Sequence, residues 1–311
     1  IFDDPFSNTG DSWTNKITVK AELPRKVIIK PPSGEIVMSF QSASQKYIEF
    51  DGIEIDAINT TRYFGVRIGG LAHHFRFKNS AILNAADQGV LIIKDAGASP
   101  DFNEFINVEV AYTAMNTNGT PRVCNGNLKG QDGFCHGFYI GSDNNLLEGV
   151  NLHHNNGSGV QLFPAGNRGN TIRNSLSHDN EALGIVSIGN DNNVINNVVY
   201  NNKTGGISIR ETNNRIYHNT IYNNPNEFDG LNLGGTGHIV KNNLLSQNNA
   251  VGMLLDSSNL VGMDPQFFLN LDPANKDFLH LKVDSPARDA GAALAEVTRA
   301  IDGTPRPQGT A

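Results

Sequence analysis

One short phrase recurs along most of the chain: a glycine, then an apolar residue, a variable residue and a second apolar residue. It reads Gly65-Val66-Arg67-Ile68, Gly89-Val90-Leu91-Ile92, Gly137-Phe138-Tyr139-Ile140, Gly159-Val160-Gln161-Leu162, Gly184-Ile185-Val186-Ser187, Gly206-Ile207-Ser208-Ile209, Gly230-Leu231-Asn232-Leu233 and Gly252-Met253-Leu254-Leu255. The glycines are spaced by 24, 48, 22, 25, 22, 24 and 22 residues. Alternation of this kind is the period of a β-strand with one face inward. A second short strand precedes many of these phrases, as in Asn174-Ser175-Leu176, Asn197-Val198-Val199, Asn219-Thr220-Ile221 and Asn243-Leu244-Leu245. Asparagines 174, 197, 219 and 243 thus recur at one place in the repeat. There they either bond up and down in an amide ladder or simply suit a left-handed turn. No stretch carries a sustained helical period. The spacing of 48 is two repeats long and reads as one repeat with an insertion of about 24 residues, roughly 113–134.

Short strands at a near-constant period of about two dozen residues predict stacked coils. A meander or propeller needs longer strands and antiparallel hairpins. The expected fold is therefore all-β, a right-handed parallel β-helix of roughly ten coils forming a single domain over residues 1–311. Its predicted inward residues include Val66, Ile68, Val90, Ile92, Phe138, Ile140, Val160, Leu162, Ile207, Ile209, Leu231 and Leu233. Residues 1–46, with Trp13, Lys16-Ile17-Thr18-Val19-Lys20 and Val27-Ile28-Ile29-Lys30, read as the first coils. Residues 260–311 lose the repeat, become rich in proline and read as a closing segment, because a solenoid needs a polar cap.

Composition agrees with a chain that turns often. There are 32 glycines, and only 18 % of residues are charged. A formal net charge of −7 argues against non-specific nucleic-acid binding, which needs a basic face. It leaves room for an anionic substrate on a local basic row. No run of 18 or more apolar residues exists, so no membrane-spanning helix is expected. The start at Ile1, without Met, reads as a mature or trimmed chain. Cys124 and Cys135 lie eleven positions apart in a polar stretch and read as one loop-closing disulfide in preference to two free thiols. That pairing implies an oxidising compartment and a secreted protein, extracellular or periplasmic. Two thiols do not complete a zinc site.

The Asn-Asn/Gly coils, the run Asp132-Gly133-Phe134-Cys135-His136-Gly137-Phe138-Tyr139-Ile140, and a tail with Asp264-Pro265-Gln266-Phe267, Asp277-Phe278-Leu279-His280-Leu281 and Asp284-Ser285-Pro286-Ala287 resemble secreted bacterial β-helix proteins of the pectate-lyase-like superfamily. The branch most resembled holds polysaccharide lyases and mannuronan C5-epimerases. The resemblance covers most of the chain. It implies that one exposed parallel sheet serves as a groove for a sugar chain, that the partner is an anionic polysaccharide, and that calcium is a candidate cofactor.

The outward positions of the Gly-led strands are then the ones that carry chemistry. They are Arg67, Leu91, Tyr139, Gln161, Val186, Ser208, Asn232 and Leu254, with Lys94, Asp95, Phe163, Arg210, Glu211 and Asp256 near the strand ends. At about 4.8 Å per coil, Lys94 and Arg210 stand roughly 19 Å apart, a few sugar rings. C5 of a uronate is a carbon acid whose neighbouring carboxylate must be neutralised as charge develops, which Lys or Arg does electrostatically. A base removes the proton and an acid completes β-elimination or epimerisation. By this reading His136 and Tyr139 are base and acid, Lys94 and Arg210 hold the carboxylate, Asp132 orients His136, and Arg67, Gln161, Phe163 and Asn232 contact sugar. The insertion, fixed by a Cys124–Cys135 bridge, walls the groove, since long loops tend to carry function.

Plainer roles stand beside these. Tyr139 can pack, His136 can anchor the insertion, Lys94 and Arg210 can be solvated charges, Asp132 can cap a turn, and His153-His154 reads as a polar turn. Two other classes of function compete. A glycoside hydrolase would need two carboxylates about 5–10 Å apart, from Asp95 with Asp132 or Glu211 with Asp229. A non-catalytic binding or structural module would need none of this.

Overall fold

The recurring glycine has a steric cause. In the computed structural model, a Cβ on Gly89 would stand 2.4 Å from Val110 Cγ1, on Gly159 2.2 Å from Ser177 Oγ, and on Gly184 2.3 Å from Val199 Cγ1. Val110, Ser177 and Val199 are the inward residues of a neighbouring sheet. The chain can turn the corner against them only where no side chain exists. The described residues are 10–61, 63–95, 97–122, 135–224, 230–252, 256–262 and 267–306.

Three parallel sheets run the length of the molecule, with nine, ten and nine strands among the described residues. In each coil the chain visits sheet 1, then sheet 2, then sheet 3. Sheet 1 runs from Ile17–Lys20 to Ile239–Lys241, sheet 2 from Val27–Ile29 to Leu260–Gly262, and sheet 3 from Met38–Phe40 to Ala250–Val251. Every neighbouring pair inside a sheet is parallel, so each strand bonds to its equivalent one coil away. The all-β parallel solenoid expected from the repeat is therefore what forms. The core is one continuous column closed by the three sheets. All twelve inward residues predicted from the Gly-led phrase belong to it, Leu233 being the most exposed at 4 %. In the first coils the column is aromatic: Phe50 stacks on Phe77 and Phe77 on Phe105, with centroids 4.9 and 5.1 Å apart.

Amide ladders fill the corners. Between sheets 1 and 2, Asn197 Nδ2 donates to Asn219 Oδ1, Asn219 Nδ2 to Asn243 Oδ1 and Asn243 Nδ2 to Asn259 Oδ1. Two further ladders run through Asn103, Asn145 and Asn170 ahead of sheet 1, and through Asn155, Asn180, Asn202, Asn224 and Asn248 after sheet 2. One member of the expected ladder is corrected. Asn174 is not in it; Ser175 takes that place, its backbone N–H donating to Asn197 Oδ1 at 3.0 Å. Asn174 sits one residue earlier in the left-handed region (φ 53°) and accepts from Asn196 Nδ2. Both uses of asparagine weighed from the sequence thus occur, on adjacent residues: the left-handed one faces out and the laddered one faces in.

The C-terminal segment lies along the side of the solenoid. Leu260–Gly262 adds the tenth strand of sheet 2. Phe267, Phe268, Phe278 and Leu279 then pack on Tyr200, Tyr222 and Leu244, the outward residues of that sheet. Further on, Asn242 exchanges two hydrogen bonds with the backbone of Ala292, and Asn196 donates to Arg299 O. Sheet 2 is thereby covered over its last coils. Among the described residues no helix is long and apolar enough to cross a membrane.

Candidate functional site

Parallel pairing puts the outward residues of sheet 3 in one file. Ser39 lies beside Arg67, Arg67 beside Leu91, Leu91 beside Tyr139, Tyr139 beside Gln161, Gln161 beside Val186, Val186 beside Ser208, Ser208 beside Asn232 and Asn232 beside Val251. The row expected from the sequence is this file, except that Leu254 lies outside the described residues. A second file, two residues along each strand, contains Gly69, Ile93 and Gly141 at one end and Ile188 and Arg210 at the other. The floor is recessed: Leu91, Gln161, Val186 and Ser208 are each buried. Phe163 stands up at 38 % exposure and meets the Tyr139 ring edge-on, with centroids 6.1 Å apart.

The cations differ in availability. Lys94 Nζ is 2.8 Å from Asp143 Oδ2. Asp143 was not foreseen, although the register carries the signal: the coil with the insertion is 48 residues long, so Lys94 falls beside the turn that holds residues 142 and 143. Arg67 is paired with Asp95 at 3.3 Å, and Asp95 also accepts the Gly70 N–H. Together with Ile36, Tyr63, Phe64, Leu91 and Ile93, that ion pair lines a shallow depression at one end of the groove. The Arg210 guanidinium makes no ion pair or hydrogen bond among the described residues and lies over Gly234, where a Cβ would be 2.9 Å from its Nη1. Glycine at 234 therefore gives the arginine its bed. Arg210 and Asn232 stand on adjacent strands of sheet 3.

Tyr139 is half-buried, which pushes its phenol up from the usual tyrosine range, so it is protonated at neutral pH. Its hydroxyl has no hydrogen-bond partner among the described residues. His136 lies against it, with ring centroids 6.2 Å apart and planes 29° from parallel. His136 is only 2 % exposed, and its Nδ1 accepts the Ser158 N–H at 2.8 Å. His136 Nδ1 therefore carries no proton and its lone pair is occupied. Its backbone N–H goes to Gln88 Oε1, which ties consecutive turns together.

Asp132, Cys124 and Asp229 lie outside the described residues, and with them the Asp132 contact to His136, the Cys124–Cys135 bridge and one carboxylate of each hydrolase pair. Cys135 is fully buried. Among the described residues no group of three or more His, Cys, Asp or Glu side chains is placed to hold a metal ion.

The sequence matches the profile of the family described as right handed beta helix region over residues 64–224 and again over 170–264. No curated protein sequence matches it. Among solved structures it is similar to a pectate lyase, Pel9A, with a TM-score of 0.51 at 15 % identity over 94 % of this chain and 82 % of that one. It is likewise similar to an alginate lyase from Paenibacillus sp. str. FPU-7, with a TM-score of 0.52 at 16 % identity over 81 % of each chain. The A-module of the Azotobacter vinelandii mannuronan C-5 epimerase AlgE6 gives a TM-score of 0.51 at 14 % identity, covering 81 % of this chain and 84 % of that one.

Proposed function

Because the chain belongs to the right-handed β-helix family, we propose that its open sheet 3 binds an acidic polysaccharide and acts on a uronate unit at Tyr139, by β-elimination or C5-epimerisation. One observation carries this reading. Two adjacent files of one recessed face present a phenol, Tyr139, and a guanidinium, Arg210, neither with a hydrogen bond or ion pair among the described residues. Those two stand three strands apart, about 14 Å at the usual interstrand spacing, so they serve different sugar units of one chain. Arg210 holds a carboxylate away from the reacting unit. Lys94, just past the end of the strand beside Tyr139, meets a substrate carboxylate by exchanging it for Asp143. Charge that develops on the uronate is stabilised there. The C5 proton passes to a water in the groove. Tyr139, protonated at neutral pH, gives its proton to the leaving glycosidic oxygen in elimination or to the opposite face of C5 in epimerisation, and the protonated water then restores the phenol. His136 packs against the Tyr139 ring. The similarity to two lyases and an epimerase supports this polysaccharide class, and the cysteine pairing read from the sequence supports a location outside the cytoplasm.

A second reading has its own support. Lys94 and Arg67 each have an acidic partner and the His136 Nδ1 lone pair is taken, which suits a groove that binds a sugar chain without turning it over. Proton NMR in heavy water separates the two, with alginate, pectate, glucuronan and a neutral glucan, each with and without calcium. Unsaturated uronate ends identify a lyase and deuterium at C5 without cleavage an epimerase. New saturated reducing ends identify a hydrolase and overturn the proposal. Binding of uronate chains with no chemical change leaves the binding reading.

A further inference from the structure

The depression at the Arg67 end of sheet 3 lies beside a corner that the reaction at Tyr139 does not use. Tyr63 is left-handed there, with φ of 66°. Neighbouring side chains of an extended chain face opposite ways. The left-handed residue breaks that alternation, so the Tyr63 and Phe64 rings gather on one side, with centroids 5.4 Å apart. Both are half-buried. With Ile36 and Leu91 they line a space of about 330 Å³. That is at the small end of ligand sites and suits a single sugar unit.

The polar part of the depression is an ion pair with its acid outermost. Arg67 Nη2 reaches both oxygens of Asp95, at 3.5 and 3.3 Å, and Asp95 Oδ2 also accepts the Gly70 N–H at 2.9 Å. Gly69 leaves them room, since a Cβ there would stand 3.1 Å from Asp95 Oδ2 and 3.5 Å from Arg67 Nη2. The Asp95 side chain is 45 % exposed and that of Arg67 20 %. A ligand therefore meets a carboxylate whose charge is already countered by the more buried guanidinium. Such a group accepts from hydroxyls and repels another carboxylate. The other charges about this corner do not reverse that. Glu35, next to Ile36, is exposed, and Asp87, whose backbone donates to Tyr63 O, accepts the Cys135 N–H. Lys94, next to Asp95, is held by Asp143, and Arg62 lies outside the described residues.

We propose that this depression is a distal subsite for one pyranose unit of the chain on sheet 3, recognised by its hydroxyls and not by its carboxylate. Phe64 and Tyr63 face the C–H side of the ring, Asp95 accepts from a hydroxyl, and Arg67 donates with the N–H groups not turned to Asp95. On the reading of sheet 3 as a groove for a uronate chain, on which this assignment rests, Arg67 lies two strands from Tyr139. That is about 10 Å, or about two sugar units. Arg210 lies three strands to the other side. About six units then reach from the depression to Arg210, whereas about four reach from Tyr139 to Arg210 and leave the depression empty. The two ends read one polymer differently, by hydroxyls here and by a carboxylate at Arg210.

The test is calorimetry of the whole chain with tetramers and hexamers of galacturonate and of mannuronate, together with NMR of labelled phenylalanine rings. For the uronate that binds, the hexamer should bind tighter than the tetramer and should shift Phe64, which the tetramer leaves unmoved. Phe64→Ala and Asp95→Ala should each weaken the hexamer about fivefold or more, as for one lost contact, and leave the tetramer within about twofold. Asp95→Ala also decides what is recognised, because it removes an acceptor and releases Arg67. Weaker hexamer binding supports hydroxyl recognition, and tighter binding means a carboxylate is read and overturns the proposal. If Phe64→Ala does not fold, Asp95→Ala, at a half-exposed side chain, decides alone. A hexamer no tighter than the tetramer, an unmoved Phe64, or equal losses for both lengths would each overturn the subsite. Hexamer binding that both variants leave intact but Arg210→Ala weakens would overturn the subsite alone. No binding of any oligomer to the parent would overturn the reading of sheet 3 and the subsite with it.

Discussion

Asn219→Ala tests whether the corner ladders hold the coils together. The Asn219 side chain accepts the backbone N–H of Asn197 at 3.1 Å and the Asn197 amide at 3.0 Å. It donates to Val194 O and to Asn243 Oδ1, both at 2.9 Å. The residue is fully buried. Alanine removes all four bonds at once. The Asn197 amide keeps its bond to Ile172 O, and Asn243 Oδ1 keeps the Asn219 N–H, so those two groups stay satisfied. The Asn197 backbone N–H loses the partner it has. Leaving a buried donor unmet costs about 1–3 kcal/mol, and the lost neutral bonds add about 1 kcal/mol each before relaxation. The expected loss is about 4 kcal/mol. It should be read by urea unfolding with circular dichroism and tyrosine fluorescence together, since a stack of coils can open piecewise. The control is Asn193→Ala. Asn193 is half-buried on a strand and bonds Thr171 Oγ1, so its loss should cost about 0.5 kcal/mol or less. A loss below about 1 kcal/mol at Asn219, or no difference from Asn193, would show that water replaces the amide and that the ladder does not bind the coils.

Gly184→Ala places a Cβ 2.3 Å from Val199 Cγ1 and should destabilise the fold by about 2–3 kcal/mol. Val199→Ala in the same chain should recover part of that loss in a double-mutant cycle of thermal melts, and strict additivity would refute the steric account. His218 is pushed down to about 4 by burial, helped by Arg306, and accepts from Asn242, the residue that holds Ala292. Its folded value lies below its unfolded one, so its contribution is full above about pH 6.5 and falls as pH drops towards 4. The change should be about 2 kcal/mol after allowance for partial exposure, and amide exchange across residues 290–306 should speed up over that window, with His218→Leu flattening the response. Arg210→Ala should weaken uronate oligomer binding by about tenfold, one charge-assisted bond, and steepen no salt dependence; an unchanged Kd in calorimetry would remove Arg210 from the site. Tyr139→Phe should abolish product formation in the heavy-water assay while leaving the Kd within about threefold, and full turnover would refute the role of the phenol.

The alternation of apolar residues behind each glycine was enough to name the inward side chains. A strand has two faces and the repeat aligns every coil, so Val66, Phe138 or Leu231 had one place to go. The outward file followed from the same parity, which is why Arg67, Tyr139, Gln161 and Asn232 were legible before any coordinate. What that periodicity leaves open is the contact partner. Residue types do not say that Lys94 meets Asp143, that Arg67 meets Asp95, or that a Ser158 N–H occupies the His136 ring. Those contacts join residues from different coils and depend on turn conformation, so they decide which groups remain free for a ligand. The slip from Ser175 to Asn174 has the same origin: neighbouring residues in a corner face opposite ways, and only backbone φ tells them apart. His153-His154 reads from the sequence as a polar turn because the contacts among Glu109, His153 and His154 exist only once sheet 2 has stacked. The sequence by itself determined coil, core and outward row, because those rest on local period. The tertiary structure decided availability and charge, because those rest on what each side chain touches.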